Sequence, residues 1–187
     1  MGKQNILITG ISGQDGAFLA NRFLSEDLTK YNIYGTSRQK PSLALKKINS
    51  LGCNVDNLKI LQTDLTESTE VLNLISDINP TQVFNLSGPS SVYDSINNAN
   101  YFETTINKIF DNLINACIHL HTLPVFFQAC SSEMFSKENS MPLNEESIFD
   151  PRTPYAKAKF TTFEKINQLK EKYDWNIKSG IMFNHES

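Results

Sequence analysis

A doubly wound α/β domain, its parallel sheet covered on both faces by helices, is the fold class this sequence predicts. Three observations point there. Apolar runs rich in β-branched and aromatic residues alternate with segments of helical period. The runs are almost continuously hydrophobic, as in Ile6-Leu7-Ile8 and Val125-Phe126-Phe127, which suits strands buried on both faces rather than a half-exposed antiparallel sheet. A glycine-rich turn joins the first run to the first helical segment. The 187 residues, 40% hydrophobic and 20% charged, suffice for one domain, 1–187, with a sizeable core.

The first strand is expected over residues 5–9. It feeds Gly10-Ile11-Ser12-Gly13-Gln14-Asp15-Gly16 and then a helix from near Asp15 carrying Phe18, Leu19, Phe23 and Leu24. Glycines at this spacing allow a tight turn and close backbone approach, so that a pyrophosphate can sit on free N–H groups at the positive end of the helix. The strand–turn–helix context makes the motif a dinucleotide cradle rather than a lone glycine cluster.

The second strand, 32–37, ends in Gly35-Thr36-Ser37-Arg38-Gln39-Lys40 without a carboxylate. A carboxylate there would accept from a free ribose 2′-hydroxyl, whereas a guanidinium pairs with a 2′-phosphate. Arg38 therefore points to NADP, with Lys40 able to share or replace that role. The third strand, 58–62, precedes Asp64 and Leu65, placed either for the adenine edge or, for Asp64, to cap the helix from near Glu67. After the fourth strand, 82–86, residues 85–90 should line the other side of the cofactor, since ligands gather at the carboxyl ends of parallel strands.

A helix from near Tyr101 has one apolar stripe: Phe102, Ile106, Ile109, Phe110, Leu113, Ile114, Cys117 and Ile118. That stripe is core or interface. The fifth strand, 125–129, runs into a long segment, 131–152, read as a site loop. The next helix has a clear start, because Thr153 can cap it and Pro154 suits its first position. It runs to about Tyr173, and Lys157, Lys165, Lys170, Glu171 and Lys172 form a solvated face. The sixth strand covers 177–183. Loops are expected at 39–42, 52–56, 88–91 and 131–152.

Charge and cysteine usage narrow the function classes. Seventeen Lys and Arg against 20 Asp and Glu give a formal charge of −3, with no basic excess for a nucleic-acid backbone. Cys53, Cys117 and Cys130 are odd in number and far apart, without a CxxC pair or histidine cluster, so neither disulfides nor a metal site are expected. No apolar run approaches bilayer length and no signal-like start is present, so a cytoplasmic enzyme or binding domain is expected, with no membrane partner.

Tyr155 and Lys159 lie four residues apart near the start of a helix and so share a face. A phenol of ordinary pKa about 10 is a poor base at neutral pH, but a neighbouring ammonium favours phenolate. Ser131, Ser132 and Glu133 follow the fifth strand at the same crevice. A serine hydroxyl can steer a substrate hydroxyl toward the tyrosine, and the Glu133 carboxylate can move a second proton, which a simple dehydrogenase does not need.

The cradle, Asp64-Leu65-Thr66, Gln128-Ala129-Cys130-Ser131-Ser132-Glu133, Pro151-Arg152-Thr153-Pro154-Tyr155-Ala156-Lys157-Ala158-Lys159 and Phe183-Asn184-His185-Glu186-Ser187 together resemble the extended short-chain dehydrogenase/reductases. More narrowly, Gly13-Gln14-Asp15-Gly16 and the Phe183 pentapeptide resemble the N-terminal part of the GDP-mannose 4,6-dehydratase family. The resemblance implies a Rossmann domain holding NADP, with the C-terminal substrate domain absent from this chain. It implies catalysis by Ser131, Glu133, Tyr155 and Lys159 on a nucleotide sugar, GDP-mannose: Tyr155 takes the C4 hydroxyl proton, and Glu133 takes the C5 proton and helps water leave from C6.

The implied cofactor contacts are Gly10, Ile11, Ser12, Gly13, Gln14, Asp15, Gly16, Arg38, Asp64, Leu65, Leu86, Ser87, Gly88, Pro89, Ser90, Tyr101, Lys159 and His185. Ser90, Ser131 and Asn184 fall on the substrate side. No metal is implied. Pairing of two copies through the helices near 101–121 and 153–173 is implied as well, although the apolar stripes could equally be satisfied within one chain. Ser87-Gly88-Pro89-Ser90-Ser91, Phe135-Ser136 and Gln39 depart from the family pattern. An epimerase or dehydratase of other specificity, or a non-catalytic NADP-binding module, are the alternatives.

Overall fold

The computed structural model describes residues 2–26, 29–53, 55 and 57–185. Part of the loop expected at 52–56, and Glu186 and Ser187 of the terminal motif, lie outside them. Six strands, β1 (Gln4–Thr9), β2 (Tyr31–Ser37), β3 (Leu58–Gln62), β4 (Gln82–Asn85), β5 (Val125–Ser131) and β6 (Ile177–Met182), form one sheet in the order β3-β2-β1-β4-β5-β6. Every neighbouring pair is parallel. The order reverses between β1 and β4, the place where doubly wound sheets open a crevice for a ligand.

Helices α1 (Gln14–Glu26), α2 (Pro41–Ser50), α3 (Ser68–Ile78), α4 (Val92–Asn97), α5 (Ala99–Ile118) and α6 (Pro154–Tyr173) link the strands. On one face Ile6, Ile8 and Ile33 pack with Ala17, Ala20 and Ile48 from α1 and α2. On the other, Leu7, Val83, Phe126 and Ile177 pack with α3, α5 and Trp175. Successive strand residues thus serve opposite cores, which is why the runs read as continuously hydrophobic. The α5 stripe is satisfied inside the chain, with Phe110, Leu113 and Cys117 essentially inaccessible.

Two short helices were not expected. Residues 39–42 were read as loop, but Pro41 opens α2, whose Ala44 and Ile48 bury one face four residues apart. Pro at the first helical position and the 44/48 spacing were the available signals. After the 88–91 loop, Ser91 Oγ accepts from Asp94 N at 3.1 Å and caps α4.

The solvated face assigned to α6 also needs correction. Lys165 Nζ lies 2.7 and 2.8 Å from the two carboxylate oxygens of Asp111 and ties α6 to α5. The three cysteines are free and buried, and burial pushes Cys117 up to about 12 and Cys130 up to about 11, so both are unreactive thiols. Among the described residues no helix is long and apolar enough to cross a membrane, and no group of His, Cys, Asp and Glu could hold a metal ion.

Candidate active site

The glycine turn is shaped by backbone crowding. Gly10 adopts φ +70°, and a Cβ there would lie 2.7 Å from the Leu86 carbonyl oxygen; one at Gly16 would lie 2.6 Å from Gly10 O. Only glycine lets the β1 turn touch the β4 loop while α1 begins directly against it. The result is a cleft of about 480 Å³ over the carboxyl ends of the strands.

Gly10, Ser12, Gly13, Gln14, Asp15 and Gly16 line one wall, Leu86 to Ser90 the opposite one, and Arg38, Asp64 and Leu65 the far end. These were all singled out in the sequence. Thr36, Ser37, Lys47, Thr63, Thr66, Thr105 and Ile109 line it too, and none of these was assigned a cofactor contact from the sequence. Lys47, on the unexpected α2, stands at the cleft in place of Lys40. Asp64 Oδ1 accepts from Thr66 N at 2.9 Å and Thr66 Oγ1 at 2.7 Å, a local turn rather than a helix cap. Those bonds, aided by Arg38, hold the Asp64 carboxyl below its usual range. The Leu65 carbonyl accepts from Asn112 Nδ2 of α5 at 3.0 Å, fixing this loop to the helix layer.

The remaining cofactor candidates lie outside the lining. Ile11 is fully buried, its N–H donating to Thr36 O at 3.1 Å. Tyr101 is about half exposed and packs edge-on against Phe102. His185 reaches the cleft through Asp15: its Nε2 lies 2.8 Å from Asp15 Oδ1 and its Nδ1 2.7 Å from Phe183 O. Asn184 is exposed beside it.

Helix α6 brings Tyr155 and Lys159 to β5. Thr153 Oγ1 accepts from Ala156 N at 3.1 Å and Pro154 takes the first position, so the helix starts where the sequence signalled. Tyr155 is 9% exposed and packs with Phe102, Ile106, Ala158 and Val92. Ser131 Oγ accepts from Glu133 N at 3.2 Å, and its hydroxyl hydrogen is free to favour the ionised Tyr155 phenol. Glu133 is exposed on a second cleft of about 410 Å³ whose lining includes Val92, Phe135, Lys137, Arg152 and Thr153.

One expectation is overturned. Burial pushes the Tyr155 phenol above its ordinary value; the Ser131 hydrogen bond opposes this, while Cys130 and the Glu133 carboxylate add to it. Lys159 does not lower it. The amine is itself buried, which holds its pKa below the usual range, and its Nζ sits 5.8 Å from the Tyr155 ring centroid while donating to Ala129 O at 2.8 Å. A lysine whose own charge is disfavoured by desolvation is a weak electrostatic lever.

Phe135, Ser136 and Ser87, three of the residues set apart in the sequence, each make defined local contacts. Phe135 stacks on Phe149 with centroids 4.9 Å apart and the two residues form a β-bridge, folding the 131–152 segment back on itself. Ser136 accepts from Glu138 N through its hydroxyl at 3.2 Å. Ser87 joins a buried polar network described below.

The family profile described as GDP-mannose 4,6 dehydratase matches residues 7–187. Among curated proteins, the chain is similar to GDP-mannose 4,6 dehydratase of Homo sapiens, 34% identical over 197 aligned positions, covering 100% of this chain and 52% of that protein. It is similar to the Vibrio cholerae GDP-mannose 4,6-dehydratase at 30% identity, covering 99% of this chain and 50% of the relative. The chain spans about half the length of the curated relatives it matches. Among solved structures, the UDP-Glc/GlcNAc 4-epimerase from Campylobacter jejuni shares the fold with a TM-score of 0.82 at 18% identity, over 96% of this chain and 53% of that one. UDP-glucose 4-epimerase from Brucella ovis in complex with NAD gives 0.80 at 15% identity, over 97% and 52%.

Proposed function

Because the chain belongs to the GDP-mannose 4,6-dehydratase family, we propose that it is the cofactor-holding, catalytic half of an NADP-dependent nucleotide-sugar dehydratase acting on GDP-mannose. The supporting observation is the placement of the buried Tyr155, whose ionisation the Ser131 hydroxyl favours, directly beside Ser132, Glu133 and Thr153 of the second cleft, in a fold whose first cleft is walled by the glycine turn.

The first cleft suits NADP chemically. Arg38 and Lys47 set two cations at its far end, the buried Thr36 Oγ1 has no protein partner there, and the glycine turn faces the start of α1. Arg38 and Lys47 would hold the 2′-phosphate, Arg38 through its planar fork. The glycine turn would hold the pyrophosphate, and Asp64 and Leu65 the adenine edge. Bound there, NADP+ would supply a reversible hydride store and a positive ring charge that favours the Tyr155 phenolate.

Tyr155, steered by Ser131, removes the proton from the sugar C4 hydroxyl as that carbon is oxidised. The 4-keto group acidifies C5. Glu133 removes the C5 proton and delivers it to the departing C6 hydroxyl as water; reduction of the resulting 5,6-ene at C6, with a solvent-derived proton taken up at C5, leaves the 4-keto-6-deoxy product. Ser90 and Asn184 would face the sugar, with Tyr101 and His185 closing the cofactor side. Any pairing of two copies through α5 and α6 would use their outward faces, since the α5 apolar stripe is already buried.

Calorimetric titration with NADP+ and NAD+ tests the cofactor assignment. NADP+ is expected to bind at least about tenfold more tightly, a difference of about 1.4 kcal/mol, and Arg38→Ala is expected to erase the preference. Equal affinities in the parent chain would refute it. In deuterated water with GDP-mannose, and the C-terminal half of a relative supplied in trans, product deuterated at C5 is expected from the parent and none from Glu133→Gln.

A further inference from the structure

The sheet register aligns Thr36, Thr9, Asn85, Gln128 and Ser179 side by side across β2, β1, β4, β5 and β6. Each lies two residues beyond a core position, Tyr34, Leu7, Val83, Phe126 and Ile177, and faces the same α3/α5/α6 layer. Thr36, Thr9, Asn85 and Gln128 are no more than 1% exposed. A row of polar side chains in a face that is otherwise apolar is destabilising unless every group is bonded.

The central members form one directed chain of hydrogen bonds. Thr9 Oγ1 and Ser87 Oγ each donate to Asn85 Oδ1 at 2.7 Å. With its oxygen so occupied, Asn85 turns its amide nitrogen to Gln128 Oε1, again at 2.7 Å. Gln128 Nε2 in turn donates to Ala129 O at 3.0 Å, the same carbonyl that holds Lys159 Nζ at 2.8 Å. The Ala129 carbonyl can only accept, so Gln128 must turn its amide nitrogen to it and its oxygen to Asn85, whose own oxygen then faces the two hydroxyls and the Ser87 N–H at 3.4 Å.

We propose that Asn85 and Gln128 are positioning residues that set the placement and acidity of the Lys159 ammonium through the shared Ala129 carbonyl. They touch neither cleft directly; they connect Ser87, on the wall of the first cleft, to the amine behind Tyr155. The inference rests on the place of Lys159 among the catalytic residues that the family resemblance implies, and concerns where its ammonium sits and when it titrates rather than a charge effect on the Tyr155 phenol. Gln128 presents the positive end of its amide dipole to the oxygen the ammonium also uses. It therefore competes for the acceptor and disfavours the protonated amine.

The test is an NMR titration of the cofactor-free chain labelled with ¹³C at lysine Cε, the Lys159 signal being assigned by its loss in Lys159→Met. Gln128→Met removes the competitor and is expected to move the Lys159 midpoint up by roughly half a unit. Asn85→Asp cannot donate to Gln128, so the Gln128 amide turns over and offers its oxygen toward the lysine. That variant is expected to raise the midpoint by about one unit, although Asn85 has no contact with Lys159. Should Gln128→Met fail to fold, Asn85→Asp decides alone. A Lys159 midpoint that is unmoved in a folded Asn85→Asp chain overturns the proposal. Because no NADP is present, this outcome is independent of the cofactor titration.

Discussion

Both ring nitrogens of His185 face acceptors, the Asp15 carboxylate and the Phe183 carbonyl, and only the doubly protonated imidazolium can donate to both. Hydrogen bonding to Asp15 accordingly raises the His185 pKa from 6.5. The sign of the linkage follows: the contact is fully formed below pH 6.5 and fades as pH rises through the higher folded-state value. An NMR titration of the imidazole should give a midpoint above 6.5, and Asp15→Asn should return it toward 6.5. An unchanged midpoint in that variant would mean that the bridge between the cradle and the segment after β6 does not form in solution. The Tyr155 phenol carries the complementary lesson. Its spacing from Lys159 was readable as shared helix face, but the direction of its shift depends on how deeply β5 and α5 bury it, and spacing holds no information on burial.

Helix starts are the most local features of this fold and were the most legible. Ser/Thr followed by Pro marks α6 because a hydroxyl and a fixed φ act within one turn. Thr153→Ala should cost about 1 kcal/mol and lower Tm by about 2–4 °C, read by thermal denaturation. Since Tyr155 is the second residue of that helix, the variant should also broaden its ring signals, whereas Thr153→Ser should behave as the parent. Helices α2 and α4 were missed for the opposite reason. They span 10 and 6 residues, too short for hydrophobic period to outweigh the turn-forming residues that precede them. The omission hid Lys47 from the cofactor reading, because it is helix α2 that brings this residue to the cleft that Arg38 also lines. Lys165 was assigned to solvent for a similar reason: Asp111 lies 54 positions away, and sequence spacing reports only partners within a turn or two.

At the scale of the whole molecule, the core beneath the site is the α3/α5/α6 layer centred on Phe126, which is inaccessible and meets Phe110 edge-on at 6.3 Å and Trp175 at 5.9 Å. Phe126→Ala should cost about 3–5 kcal/mol, measured by urea denaturation. A loss below about 1.5 kcal/mol, the range of a volume-conserving core swap, would show that this layer is not packed as described. From the sequence by itself came the alternation of strand and helix, the glycine cradle at its first turn, the capped helix bearing Tyr155 and Lys159, and the carboxylate at Glu133. These rest on interactions within a few residues or on a repeating hydrophobic period. What only the tertiary structure decided was which distant residues share an oxygen or a wall: Thr9 with Asn85, Gln128 with Lys159 across the Ala129 carbonyl, Lys47 with Arg38, His185 with Asp15. Strand order and register bring these groups together. Register is set by the fit of two apolar layers against the sheet as a whole, so the polar row that rides on it becomes visible only when the chain is folded.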